Sequence, residues 1–124
     1  MPKTIAVIGA LDTKGQDFAF LKTEIEKRGC QTLVIDFGVL GEAGFVPEVT
    51  RRQVADAAGV DFDALVERGD RGEAMRVMSD GVTEVVRRLY ADGDIHGVIS
   101  MGGGGGTSVA TAAMRGLPVG FPKV

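Results

Sequence analysis

Gly97-Val98-Ile99-Ser100-Met101-Gly102-Gly103-Gly104-Gly105-Gly106-Thr107-Ser108 is the stretch on which the fold turns. A short apolar run, read as a strand, delivers the chain straight into five consecutive glycines, and a small-residue helix is expected from Thr107 to Met114. Without Cβ atoms the glycine backbone reaches φ > 0, turns successive N–H groups to one side and admits an anion closely. The helix opened by Thr107 and Ser108 adds free N–H groups and the positive end of its dipole. A phosphate or another anion is the natural ligand of such a loop. The plainer reading is a flexible turn, or close strand–helix packing. Five glycines exceed what a turn needs and leave a large ordering entropy, which favours the anion.

Working outward, the apolar period switches repeatedly between strand and helix. Thr4 to Ile8 reads as a strand covered on both faces. Phe18, Leu21 and Ile25 form the apolar stripe of a helix from Lys14 to Arg28, with Thr13 and Gln16 at capping-box spacing and Gly29 closing it. Thr32 to Ile35 is the second strand, ending at Asp36. Two short helices follow, one capped by Thr50 with Gln53 and stopped by Gly59, the other begun by Asp61 and closed by Gly69. Asp70 caps the longest helix, whose stripe is Met75, Met78, Val82, Val85, Val86 and Leu89, and Gly93 breaks it. Gly116 stops the last helix, and Leu117 to Phe121 is expected to be a fourth strand.

Strands alternating with helices mean a three-layer α/β fold with a parallel sheet and right-handed crossovers, flavodoxin- or Rossmann-like, of order 2-1-3-4. Ligands of such sheets bind beyond the carboxyl ends of the strands, where the strand order reverses. Here that crevice falls between strands 1 and 3, lined by the loops after Ile8 and after Met101.

The loop Gly9-Ala10-Leu11-Asp12-Thr13-Lys14-Gly15 brings an acid and a cation to this crevice. Lys14 suits phosphate charge, Thr13 a phosphate oxygen, and Asp12 either Mg²⁺ or a ribose hydroxyl. Against this, Thr13 is already accounted for as a helix cap, and a lysine at a helix start is often only solvated. Asp36 stands where ribose-binding acids are found, though a cap or a loop acid is as good a reading. Phe37, Val39 and Leu40 belong either to an adenine shelf or lid, or to a long surface loop. Capping explains Asp70 and Glu73 better than acid–base chemistry does. His96 and Cys30 each precede a strand, at the end of the sheet opposite the crevice.

The standard nucleotide signatures do not match. Gly9 to Gly15 places its lysine before the second glycine. Frames of Gly-x-Gly-x-x-Gly begun at Gly102 or Gly103 end on Thr107 or Ser108. A P-loop ATPase and a dinucleotide dehydrogenase are disfavoured. One histidine and one cysteine leave no structural zinc site, and no Ser–His–acid set is evident.

Composition bounds the rest. The 124 residues suit one domain, 1–124, and 44% hydrophobic content is too high for a disordered chain. Fourteen Lys and Arg against seventeen Asp and Glu give a net charge of -3, without the basic surplus that nucleic-acid binding needs. No apolar run is long enough to span a bilayer. The lone Cys30 points to a reducing compartment, so a cytoplasmic location is expected.

Four motifs in order carry a family resemblance: Ile8 to Gly15, Asp36-Phe37-Gly38-Val39-Leu40-Gly41, Asp70-Arg71-Gly72-Glu73-Ala74 and Met101 to Thr107. With Ala110 to Met114 and Leu117-Pro118-Val119-Gly120, they resemble the N-terminal domain of the tomato mosaic virus resistance protein family and its bacterial homologues. That domain is described as ATP-binding. The resemblance therefore implies ATP, with or without Mg²⁺, at the two loops: Asp12, Thr13, Lys14 and Asp36 on one side, Gly102, Gly103, Gly104, Gly105, Gly106, Thr107 and Ser108 on the other. Members of the family are usually much longer, so an N-terminal piece with a missing C-terminal domain is expected. Two alternatives stand beside nucleotide binding. One is the phosphate-binding half of an enzyme acting on a phosphorylated small molecule; the other is a self-association module using an uncovered sheet edge.

Overall fold

The computed structural model describes residues 2–102 and 104–124. Three strands, β1 (Thr4–Gly9), β2 (Gln31–Asp36) and β3 (Gly97–Ser100), form a parallel sheet of order β2-β1-β3. Its register runs from Thr4 opposite Gln31 to Gly9 opposite Asp36, and from Ile5 opposite Gly97 to Ile8 opposite Ser100. The helices are α1 (Leu11–Lys27), α2 (Arg51–Ala57), α3 (Phe62–Arg68), α4 (Arg71–Ala91) and α5 (Gly104–Arg115).

Strand alternation divides the core into two layers. Val7 and Val34 point toward α1 and pack with Leu11 and Phe18, with Leu21, Ile25 and Ile99 at the margin. Ala6, Ile8, Ile35 and Val98 point to the other face, where α2, α3, α4 and α5 close over them. Helix α4 crosses α2 at Gly81, where a Cβ would overlap the carbonyl oxygen of Val54. A glycine inside a helix costs about 1 kcal/mol relative to alanine. Here it allows the two backbones to touch.

Most helix ends follow the sequence. Thr50 and Gln53 form the full capping box, Asp61 accepts from the Ala64 amide, and Asp70 accepts from the Glu73 amide. Gly29, Gly59, Gly69 and Gly93 follow α1, α2, α3 and α4 with positive φ.

Three expectations are corrected. Helix α1 begins at Leu11, not after a Thr13 cap, because the Asp36 carboxylate accepts the Leu11 amide at 3.1 Å and does the capping from β2. Lys14, at φ −129° and ψ 27°, then separates this first turn from the body of the helix. Helix α5 begins at Gly104, inside the glycine run. Burial of Val109, Ala110 and Ala113 holds it there despite the poor helix propensity of glycine. Leu117–Phe121 makes turns, not a strand: Pro118 has no N–H to give a ladder, its carbonyl accepts the Phe121 amide at 3.2 Å, and Gly120 has φ +94°.

The chain meets the sheet slightly later. Lys123 bridges Val98 in parallel, with Val98 N–H to the Pro122 carbonyl at 2.9 Å and Ser100 N–H to the Val124 carbonyl at 3.0 Å. On the far edge, Val49 bridges Ile35. No helix among the described residues is long and apolar enough to cross a membrane.

Candidate functional site

The strand order reverses at β1, and the carboxyl ends of all three strands open on one cavity of about 220 Å³. The loop after β1 contributes Ala10, Asp12, Thr13 and Lys14; the segment after β2 contributes Phe37, Gly38, Val39 and Leu40. Met101, Gly102 and Gly106 come from β3 and the start of α5, and Arg71 and Met75 from the start of α4. The crevice expected from topology is therefore present, between the loops expected to line it.

The wall after β2 is fastened from below by carboxylates. Asp36, 1% exposed, accepts the Leu11 amide at 3.1 Å and the Gly38 amide at 2.9 Å, and pairs with Arg51 Nε at 3.0 Å. Asp12 Oδ2 accepts the Leu40 amide at 2.7 Å and the Gly41 amide at 3.3 Å. Gly38 is needed for this arrangement, since a Cβ there would lie 2.6 Å from Asp12 Oδ1. The Gly44 amide reaches the Leu11 carbonyl at 3.2 Å, and a Cβ on Gly15 would come within 3.1 Å of the Gly44 Cα, a tight approach.

The segment after β3 reaches the cavity with Met101 and with two residues that have no side chain, Gly102 and Gly106. Gly104, Gly105 and Gly106 are the first three residues of α5, a position where backbone N–H groups have no partner within the helix. Gly102 and Gly106 do not use left-handed backbone, since neither has positive φ. Their value here is clearance. Gly103 lies outside the described residues. Thr107 donates its hydroxyl to the Gly102 carbonyl at 3.1 Å, and Ser108 is exposed; neither lines the cavity.

Of the sequence-derived candidates, the structure brings Asp12, Thr13, Lys14, Gly102 and Gly106 together around the cavity. Asp36 is not among them, because its carboxylate is turned inward on Leu11, Gly38 and Arg51. Phe37, Val39 and Leu40 do form an apolar shelf. Asp70 and Glu73 are spent on the start of α4, Asp70 on the Glu73 amide and Glu73 on Arg68 at 2.7 Å. His96 caps the far end of β1, its Nδ1 accepting the Thr4 amide at 3.0 Å.

Arg71 was not singled out from the sequence. It occupies the first position of α4, where a cation opposes the helix dipole, and among the described residues it has no ion-pair partner. That placement is the signal that was available. Lys14, at the break that follows the first turn of α1, also lacks an ion-pair partner among the described residues.

Residues 3–124 match the family described as "Uncharacterised protein family (UPF0261) N-terminal domain". A UPF0261 protein of Clostridium tetani is 49% identical over 124 residues, spanning the whole of this chain and 31% of that protein. A UPF0261 protein of Brucella suis biovar 1 is 38% identical over 119 residues, 96% of this chain and 28% of its own length. The tomato protein named "ToMV susceptible protein tm-1(GCR26)" is more distant, 28% identical over 132 residues, 94% of this chain and 18% of its own. The chain thus spans about a third or less of these relatives. It belongs to the UPF0261 family, and matches that family's N-terminal domain.

Proposed function

We propose that this domain binds a nucleotide, ATP by preference, in the cavity at the ends of β1, β2 and β3. The observation that carries the reading is the meeting of two unlike linings in one small space. Lys14 and Arg71, without ion-pair partners among the described residues, line it together with Gly102 and Gly106, and Phe37, Val39, Leu40, Met75 and Met101 supply apolar surface to the same space. A nucleotide has the same two characters, an anionic tail and a flat ring. Helix N-termini favour phosphate, and apolar walls with a few placed polar groups are what ring-bearing ligands use.

The residues fit the nucleotide better than they fit a protein-built metal centre. Asp12 is the one carboxylate lining the cavity among the described residues, and no cluster of three metal-ligating side chains occurs among them. Mg²⁺ commonly relies on one or two carboxylates plus substrate phosphates. Asp12 would be that carboxylate, with the cation supplying charge neutralisation between phosphates. The chain's own contribution is to orient the phosphates through the amides at the start of α5 and to offer the ring an apolar surface from Phe37, Val39 and Leu40.

An enzyme acting on a phosphorylated small molecule would use the same cations. It would need an acid or base in the cavity, and Asp12 already holds two amides through Oδ2. Binding is therefore the reading preferred here. We also read the Val98–Lys123 bridge as the first pairing of a fourth strand in a 2-1-3-4 sheet, and the longer relatives as a sign that further domains accompany this one in a cytoplasmic protein.

Titration calorimetry of the chain with ATP, with and without Mg²⁺, tests the central reading. Saturable binding that is lost in Lys14→Ala/Arg71→Ala supports it. An absence of heat at millimolar ATP in both conditions sinks it.

A further inference from the structure

Arg51 does not line the cavity, yet it holds the part of the wall that does. Its Nε pairs with Asp36 at 3.0 Å, and its Nη1 donates to the Gly41 carbonyl. Asp36 in turn fixes the amides of Leu11 and Gly38, and Asp12 fixes those of Leu40 and Gly41. The strap 37–41 is thus tied at both ends and from two directions. Its cavity-facing residues, Phe37, Val39 and Leu40, form the apolar shelf.

The network is not fully satisfied within the described chain. Two of its buried polar atoms, Asp12 Oδ1 and Arg51 Nη2, have no hydrogen-bond partner among the described residues. An unsatisfied buried polar atom is costly, and a partly satisfied network is less favourable than an apolar core. The arrangement does, however, keep a glycine-containing segment of five residues in one shape at the edge of a cavity. Left untied, such a segment would pay its ordering entropy on ligand binding.

We infer that Arg51 is a positioning residue that sets selectivity for the ring-bearing end of the ligand, by holding the 37–41 strap as a preformed apolar wall. This rests on the nucleotide reading above. The anionic end is served by different residues, Lys14, Arg71 and the start of α5, none of which is hydrogen-bonded to Arg51. The two ends of the ligand are therefore separable by mutation.

The experiment uses Arg51→Lys, which keeps the charge but replaces a planar fork by a single ammonium, together with Arg51→Ala. Each is titrated with ATP, adenosine and inorganic tripolyphosphate. Hydrogen exchange is followed at the Gly38, Leu40 and Gly41 amides without ligand. In Arg51→Lys, exchange at these amides should quicken by roughly tenfold, the effect of losing about one hydrogen bond to a charged group. Adenosine and ATP should weaken by a similar factor and tripolyphosphate should not change. Parallel loss of all three ligands would overturn the inference, since that is what general loosening produces; so would unchanged adenosine binding with a quickened strap. If the unaltered protein binds tripolyphosphate but not adenosine, ring selectivity fails while anion binding stands. If it binds neither, both readings fall, and the exchange rates still report whether Arg51 orders the strap. Arg51→Ala extends the series if it folds; the outcome is decided by Arg51→Lys.

Discussion

The wall after β2 and the wall after β3 line one cavity and are built by opposite means. The first is held by charge: Asp36 and Asp12 gather four backbone amides, and Arg51 ties the strap back to β2. The second is held by packing behind it, through Val109, Ala110 and Ala113, while toward the cavity it presents Met101 and the bare backbone of Gly102 and Gly106. A wall with fixed side chains recognises shape, whereas a wall of bare amides recognises charge. The difference is the reason to expect a ligand with a ring at one end and an anion at the other.

The comparison is broken most severely at Asp36. Removing one partner of a buried ion pair typically costs about 3–5 kcal/mol, because the other charge is left without compensation. Asp36→Ala also strips the Leu11 and Gly38 amides of their acceptor. Urea unfolding should show a loss in this range, and a loss below about 1 kcal/mol, a surface-pair value, would mean that charge does not hold this wall.

The cationic rim should respond in the opposite sense. Arg71→Ala removes a positive charge from the first turn of α4, so stability should rise by about 0.3–1 kcal/mol in low salt, and Lys14→Ala, at the break after the first turn of α1, should raise it by less. Anion affinity should fall by roughly tenfold per site, the worth of about one charge-assisted contact. Calorimetry and thermal unfolding on the same samples give both quantities. Loss of stability together with affinity would make these two residues structural.

The glycine wall gives a smaller effect. Gly106 is helical, and a Cβ added there would meet Phe37 at 3.7 Å, an ordinary contact. Gly106→Ala should therefore stabilise the empty protein by up to about 1 kcal/mol through helix propensity and unfolded-state entropy. A methyl group on the cavity side should at the same time weaken tripolyphosphate binding. Stabilisation without any loss of binding would show that the glycine run serves packing alone.

How much of this was readable from residues depends on whether the deciding interaction is local. Thr50 with Gln53, and Asp70 with the Glu73 amide, act within one turn, and their spacing states the outcome. The β2-β1-β3 part of the strand order and the position of the crevice were also legible, whereas the fourth strand expected over Leu117 to Phe121 was not, because Pro118 and Gly120 turn the chain there. Thr13 was misread as the cap of α1 because the true cap, Asp36, is 25 residues away in sequence and adjacent only once β1 and β2 have paired. The same pairing turned Asp36 from a ribose-binding candidate into an inward clamp. Arg71 escaped notice because nothing within α4 shows that its first turn opens onto loops from three strands.

The weakest expected effect lies far from both walls, on the solvent side of α4. Glu84 bonds Arg87 at 2.6 Å and Arg88 at 2.9 Å, and the Arg87 hydrogen bond, then that from Arg88, draws its carboxyl down from 4.5 to about 2. A lowered folded-state value means that the contribution is fully present above about pH 4.5 and fades as the pH falls toward 2. These side chains are exposed to solvent, so the contribution is small and screened by salt. Thermal midpoints of the unaltered chain and Glu84→Gln should differ slightly at neutral pH and converge near pH 2, with the neutral-pH gap closing in high salt. Ligand affinity should be identical in the two proteins at neutral pH, since charge on this face of α4 reaches neither the strap nor the glycine wall. A change in affinity would mean that the rim cation Arg71, at the start of the same helix, is felt along its whole length, and the separation of the two walls would have to be redrawn around α4.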